Sequence, residues 1–443
     1  MNNILYSVAE KLRGENIAKK IKELQETQYY SVAELQNYQT EKLKEILSTS
    51  KETVPYFREI IKDSKPDNIN SIPILTKEII RKNMKRMFNP KIPKWNFIKY
   101  SSSGITGEPI VLFLERSAVG YYHAAQWRGF SWHGVELGAR GIKIWGVPIS
   151  LKSRIIEKLK DKITTRIRIS AFDMEKLKVK KIWNKIVKYK PEYMYGYASA
   201  LYLFASLLEE NNLEGKELGL KLIVSSGEVL YEFQREKLKK FFQCPVANEY
   251  GACEVGIIAF ECPRESMHIT SENIYIEVVD EDNVPREPTY EGKIIVTSLR
   301  NFGFPIIRYE LGDVVVLSER ECTCGIRLPL LEKINGRTSD FVLTNAGKKI
   351  HSEFFSYLNR ELITRGYILR EFKIVQKKKN ELIVFLLKNE NLDKQVEYFI
   401  SDMIKKHIDS SMAVKFEYIE KIDLEKSGKK RYFVNEISQF NRS

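Results

Sequence analysis

Polar and apolar residues recur with a helical period from the start of the chain to about residue 90. Glycines are few there, and Pro55 and Pro66 punctuate the run, which predicts a helical N-terminal stretch. From about Trp95 the pattern changes to short apolar runs broken by glycine, as at 141–147, 220–228 and 274–280. Helical periods at 179–187 and 233–242 separate some of these runs. Buried strands alternating with helices predict an α/β domain built on a largely buried sheet. Between Ile274 and Val316 the strands follow one another with only turn residues between them, which predicts a smaller antiparallel or β-barrel-like portion.

A boundary is expected near Gly336 to Asp340. Beyond it the periods predict a strand pair (341–350), a helix (352–364), two strands (372–376 and 381–387), a helix (393–409) and a last strand (413–418). The expected organisation is thus a helical N-terminal part of a large domain over 1–94, the α/β core of that domain over 95–336, and a smaller C-terminal α+β domain over 337–443.

Composition narrows the class. With 443 residues, the chain exceeds what one hydrophobic core organises. Its 43% hydrophobic and 29% charged residues are those of a globular rather than a disordered chain. No stretch reaches the roughly 20 apolar residues of a membrane helix. The opening residues lack a long apolar run and a small-residue cleavage site, so a cytoplasmic location is expected. The net charge of +14 admits an anionic partner, nucleic acid included. Acidic residues lie within or beside most of the lysine tracts (152–162, 176–190, 377–379), and no nucleic-acid-binding motif accompanies them. The simpler reading is a solvated lysine-rich surface. Five cysteines in a large cytosolic chain argue against a disulfide framework.

Five short segments carry candidate chemistry. The first is Tyr100-Ser-Ser-Ser-Gly-Ile-Thr-Gly-Glu-Pro109. Its small residues let backbone N–H groups crowd around an anion, and the hydroxyls of Ser102, Ser103 and Thr106 add donors. It lacks the lysine of a Walker A loop, and alone it reads equally well as a Ser/Gly turn. In the second, Asn248-Glu-Tyr-Gly-Ala-Cys-Glu254, an aromatic ring beside a glycine offers a platform for a base. A carboxylate four residues on suits a divalent cation. The third, Arg308-Tyr-Glu-Leu-Gly-Asp313, puts a carboxylate after a glycine turn, where it can accept two ribose hydroxyls. Gly336-Arg-Thr-Ser-Asp340 and Ser427-Gly-Lys-Lys-Arg431 complete the series. Each alone is a solvated turn; their order and spacing are what carry information.

In that order, over about residues 95–435, these segments resemble the adenylate-forming superfamily of acyl- and aryl-CoA ligases, luciferases and peptide-synthetase adenylation domains. Within it, the short N-terminus, the overall length and the Cys322-Thr-Cys324-Gly segment look most like the phenylacetate–CoA ligase (CapK-like) family. The resemblance implies a large α/β domain with a small β-barrel-like portion and a mobile C-terminal domain. It implies that Ser102, Ser103, Gly104, Thr106 and Gly107 close over the β- and γ-phosphates of ATP. Ser226, Gly227, Glu228, Asn248, Glu249, Tyr250 and Gly251 would line the adenine site, and Cys253 would stand by the α-phosphate. Glu254 would hold Mg²⁺, Asp313 the ribose hydroxyls, and Arg337 the nucleotide from the hinge side. Asp340 would be the hinge, and Lys429 the catalytic lysine. The chain departs from the family pattern at Ile105 and Glu108, where the loop often has Thr and Lys. It departs also at Cys253, a weaker donor than the usual hydroxyl, and in pairing Lys429 with Lys430.

The implied reaction is formation of an acyl-AMP with release of pyrophosphate, then acyl transfer to coenzyme A. The alternatives are transfer to an amine or hydroxyl, as in polysaccharide or antibiotic assembly, or a non-catalytic basic nucleotide- or nucleic-acid-binding protein. Candidates for the acid pocket are Tyr121, Tyr122, Trp145, Tyr195, Tyr197 and Ser199. Finally, Cys262, His268, Cys322 and Cys324 supply two ligands from each of two loops, the closed set of a structural Zn²⁺ site. The alternative is four buried residues of a reduced cytosolic protein.

Overall fold

A computed structural model describes residues 10, 13–61, 69–101, 110–146, 151–171, 179–286, 290–337, 341–351, 354–355, 358, 362, 365, 367, 372–388, 394–420, 422 and 433–437. Elements start with helices α1 (Ile17–Thr27), α2 (Val32–Thr53), α3 (Pro55–Ile60) and α4 (Lys77–Asn83). The start of α2 is fixed by a capping box, in which the Ser31 hydroxyl accepts from the Glu34 amide and the Glu34 carboxylate accepts from the Ser31 amide. Pro55 occupies the first turn of α3, where its missing N–H costs nothing.

Strands β1 (Phe97–Ser101) and β2 (Val111–Glu115) form an antiparallel pair that ends at Ser101 opposite Val111. Helix α5 (Arg116–Ser131) follows directly. Next come β3 (Gly141–Trp145), α6 (Leu151–Ile163), β4 (Arg166–Ser170), α7 (Val179–Tyr189), β5 (Tyr193–Gly196), α8 (Ala198–Glu210), β6 (Leu222–Ser226), α9 (Glu232–Phe242) and β7 (Val246–Ala252). The antiparallel strands are β8 (Gly256–Glu261), β9 (Met267–Ile269), β10 (Ile274–Val279), β11 (Gly292–Ser298), β12 (Tyr309–Ser318) and β13 (Leu330–Arg337).

These strands make one eleven-stranded sheet in the order β10-β11-β12-β13-β9-β8-β7-β6-β5-β3-β4. The strands expected to form a smaller antiparallel or barrel-like portion are antiparallel, and they continue the main sheet because β13 returns to pair with β9 at Leu330 and Leu331. In the other half β4, β3, β5, β6 and β7 run parallel. The chain steps from β3 outward to β4, then back across to β5. Such a reversal leaves a crevice at the carboxyl ends of the two strands where connections diverge, the usual seat of a ligand in open α/β sheets.

The parallel half is buried on both faces. Trp183, Leu201, Phe204 and Leu208 pack with Ile142, Ile144 and Ile223 on one face. Ala124, Trp127 and Phe130 of α5 cover Tyr193, Tyr195, Val224 and Ala247 on the other. Helix α5 approaches closely because two of its residues lack side chains. A Cβ on Gly129 would sit 2.4 Å from the Phe260 ring, and one on Gly120 would sit 1.9 Å from the Glu15 carbonyl oxygen. A buried ion pair fastens the same helix: Arg128 meets Glu272, whose carboxylate also accepts from Thr27, while Arg128 donates to the Leu24 carbonyl. No helix among the described residues is long and apolar enough to cross a membrane.

Two compact units divide the chain, Met1–Leu230 with Lys237–Ile334, and Tyr231–Glu236 with Asn335–Ser443. The second contains β14 (Phe341–Leu343) paired with β15 (Lys349–His351). It also holds β16 (Phe372–Lys378), β17 (Glu381–Leu387), α10 (Lys394–His407), β18 (Ala413–Ile419) and β19 (Phe433–Asn435). Its four-stranded sheet has the order β18-β17-β16-β19, and Val396, Ile400 and Ile404 of α10 belong to the core with Ile374, Leu382 and Val384.

Candidate functional site

Strand β7 delivers the central segment to the point where the sheet turns from parallel to antiparallel. Its register shifts between Tyr250 and Gly251, a bulge that re-aims the strand end. Gly251 is needed there, since a Cβ would lie 2.9 Å from the Gly256 carbonyl oxygen. At the bulge the Tyr250 hydroxyl donates a 2.7 Å hydrogen bond to the Asp313 carboxylate of β12, just past Gly312 at φ +83°. The Glu254 carboxylate, buried nearby in sequence, accepts from the Tyr309 hydroxyl at 3.2 Å and from the Cys253 thiol at 3.2 Å. Two segments distant in the chain therefore meet at two points.

Side chains alternate along β7, so Glu249 faces away from Tyr250, toward α5. Its carboxylate accepts from Tyr195 (2.9 Å), Ser226 (2.9 Å) and Gln126 (2.8 Å). Burial pushes this carboxyl above the usual carboxylate range, against the pull of the three donors. Glu249 thus lies with the acid-pocket candidates and not beside the Tyr250 ring. Beyond Ser226, Gly227 adopts φ +80°, and Glu228 accepts from the Ser199 amide at 2.9 Å.

At the carboxyl end of β3, Trp145 stacks on Tyr197 at 3.9 Å and on Tyr195 at 5.3 Å. The Lys143 amine lies 5.0 Å above the Trp145 ring and 5.5 Å above Tyr195. Burial, with Arg166 and Arg168 beside it, brings that amine down to about 7. Tyr121 keeps other company: its hydroxyl donates to Glu23 at 2.8 Å and its ring lies 3.8 Å below the Arg300 guanidinium. Lys143 and Gln126 were missed at the sequence level. An isolated charge inside the apolar run 141–147 was the available signal for the first; an amide within a helix carries none.

Ser102, Ser103, Gly104, Thr106, Gly107, Asp340 and both Lys429 and Lys430 lie outside the described residues, as does the side chain of Arg337. The ends of β1 and β2 pair at Ser101 and Val111, on either side of the stretch from Ser102 to Gly107.

Away from this crevice, the ligand atoms of Cys262, His268, Cys322 and Cys324 all lie within 4.8 Å of one another. The Cys262 and Cys322 sulfurs are 3.7 Å apart, and the Cys324 sulfur is 3.2 Å from His268 Nε2. Thiolates about 2.3 Å from a tetrahedral zinc stand roughly 3.8 Å apart, so the donor set fits that ion. His268 Nδ1 hydrogen-bonds the Leu328 carbonyl at 3.0 Å, which turns the lone pair of Nε2 toward the sulfurs.

Sequence relatives and similar solved structures support the adenylate-forming superfamily of AMP-forming acid ligases for this chain. Residues 342–436 match the family model of the CapK C-terminal domain. The chain is 26% identical over 424 residues to Protein CapK of Staphylococcus aureus, covering 91% of this chain and 89% of that protein. It is 24% identical over 326 residues to phenylacetate-coenzyme A ligase of Thermus thermophilus, covering 70% and 72% respectively. Among solved structures it is similar to 2-hydroxyisobutyryl-CoA ligase in the postadenylation state, with TM-score 0.72, 19% identity, and coverage of 91% of this chain and 90% of that one. ATP-bound MatB from Rhodopseudomonas palustris aligns with TM-score 0.52 and 14% identity over 78% of this chain and 67% of that one.

Proposed function

We propose that the chain uses ATP to convert a carboxylic acid to its acyl-AMP, releasing pyrophosphate, and then transfers the acyl group to coenzyme A. The observation that carries this reading is the Tyr250–Asp313 hydrogen bond. It supports a nucleoside site in which the phenol ring flanks the base and the carboxylate accepts the ribose hydroxyls. A carboxylate is a poor electrophile, and attack of its oxygen on the α-phosphorus makes it reactive. The chain's part is to gather several anions and offset their charge. The N–H groups and hydroxyls of Ser102, Ser103, Gly104, Thr106 and Gly107 would cradle the outer phosphates, and Lys429 would neutralise charge building on the α-phosphate. Glu254, whose buried carboxylate is held by Tyr309 and Cys253, is the residue suited to Mg²⁺. When bound, that ion supplies Lewis-acid neutralisation of the phosphates. Swinging of the C-terminal domain about Asp340 would withdraw Lys429 before the thiol of coenzyme A attacks the acyl carbon and AMP leaves.

Pyrophosphate release over a panel of aromatic, fatty and amino acids, with and without coenzyme A, tests both halves. Release that depends on an acid supports adenylation, and an acyl-CoA product supports the acceptor. Release without coenzyme A consumption, but with consumption of an added amine or alcohol, replaces the acceptor. No release with any acid removes the reading.

The Cys262, His268, Cys322 and Cys324 set is proposed as a structural zinc site. All four positions would be filled by protein groups, which leaves none for a reacting molecule.

A further inference from the structure

Glu249 is 2% exposed and stands at the carboxyl end of the parallel half-sheet, in register with Ser226, the last residue of β6. Its three partners, Tyr195, Ser226 and Gln126, are all neutral donors. Several other buried carboxylates of this chain meet a cation or a backbone amide: Glu272 faces Arg128, Glu277 faces Arg308 at 2.9 Å, and Glu115 accepts from the Gly303 amide, while Glu254 is held by Tyr309 and Cys253. Among the described residues, no lysine or arginine makes an ion pair with Glu249. Glutamine at this position could accept from Tyr195 and Ser226 on its oxygen and, with the Gln126 amide turned over, donate to Gln126, without the cost of burying a charge, which is several kcal/mol when no counter-ion is present. The carboxylate is therefore unexplained by packing.

Its position supplies an explanation. Glu249 lies on the sheet face that carries Lys143 and Tyr195, and Tyr195 in turn stacks on Trp145 at the carboxyl end of β3. That edge adjoins the reversal between β3 and β5, where open α/β sheets receive ligands. Its immediate chain neighbour, Tyr250, is the residue assigned to the nucleoside, so a group joined to the α-phosphate and passing to the opposite face of β7 would meet Glu249. Lys143 is a weak rival for that carboxylate, since its amine has been brought to about 7.

We propose that Glu249 determines acid specificity and that the acid activated here carries a protonated amine, which becomes the missing counter-ion of the Glu249 carboxylate. This inference rests on the adenylate-forming reading above. Tyr195, Ser226 and Gln126 act as positioning residues that hold the carboxylate for an incoming N⁺–H donor.

The test uses acyl-sulfamoyladenosines, stable mimics of the acyl-adenylate, and isothermal titration of the full chain. One series carries short linear acyl chains ending in an ammonium group; a matched series ends in methyl. AMP, which has no acyl tail, is titrated in parallel. Some chain length in the ammonium series should bind about tenfold or more tightly than its methyl counterpart, as charge-assisted hydrogen bonds require. In Glu249→Gln that preference should fall to within about twofold. Equal or tighter binding of every methyl-ended mimic by the unaltered protein overturns the proposal without need of any variant. So does an ammonium preference that persists in folded Glu249→Gln. Failure of the unaltered chain to bind AMP or any mimic would instead remove the adenylate-forming reading, and this inference with it.

Discussion

Tyr250 and Asp313, 63 residues apart in the chain, are joined by a 2.7 Å hydrogen bond from phenol to carboxylate. Asp313→Asn should therefore weaken ATP binding by about ten- to a hundredfold, the worth of hydrogen bonds to a charged group. The unfolding midpoint should hardly change, because Asp313 is only half-buried. Steady-state KM for ATP, read beside a thermal melt, checks it; an unchanged KM separates Asp313 from the ribose.

Lys429→Ala is expected to slow pyrophosphate release by a factor on the order of a hundred or more while nucleotide binding persists, as loss of a preorganised transition-state contact does. Full activity in this variant moves the role to Lys430, and Lys430→Ala then becomes the deciding measurement.

Extensively dialysed protein should contain about one zinc per chain. Cys322→Ser should lose the metal and lower the melting temperature without abolishing AMP binding. Elemental analysis that finds no zinc in folded protein excludes the site.

Arg128→Met should be strongly destabilising, by about 3–5 kcal/mol, since Glu272 would keep a buried charge with no counter-ion. Arg128→Met with Glu272→Leu should recover a large part of that loss. Denaturant unfolding of the single and double variants gives both numbers.

Lys143 provides a pH signature. Its amine titrates at about 7 in the folded chain, while an unfolded lysine holds its proton to near its usual value of 10.5. Between those values the unfolded state binds more protons, so stability should rise with pH across that window and level off at either end. Lys143→Met should remove this component. Parallel pH-dependent unfolding curves for the two proteins would contradict the burial of the amine.

Much of this was legible in the sequence for reasons that can be named. Strand runs such as 220–228 and 274–280 sit at β6 and β10 because buried strands need continuous apolar residues whatever their neighbours. The Cys/His set stood out because cysteine is rare in the chain, and its four members do converge. Face assignment was not legible. The resemblance treats Asn248 to Gly251 as one unit, yet the pleat sends Glu249 to the side opposite Tyr250. Nor was the joining of β10–β13 to the main sheet, which depends on a pairing between β9 and β13 that no local pattern encodes. The lysine tract at 152–162 read as solvated surface, and its period proves to be that of a helix. Tyr121, grouped with the acid-pocket aromatics by proximity in sequence, belongs to the Glu23–Arg300 cluster.

The two bare positions on α5 set a distance that chemistry elsewhere depends on. With Phe260 filling the space beside Gly129 and the Glu15 carbonyl filling that beside Gly120, the helix can neither rise nor roll without opening a gap. Gln126 rides on that helix between them, so its reach to Glu249 is calibrated by two hydrogen atoms where other residues have a methyl group. A methyl added at either place would act like a shim, and a change made well away from Glu249 would shift the Gln126 amide that holds it.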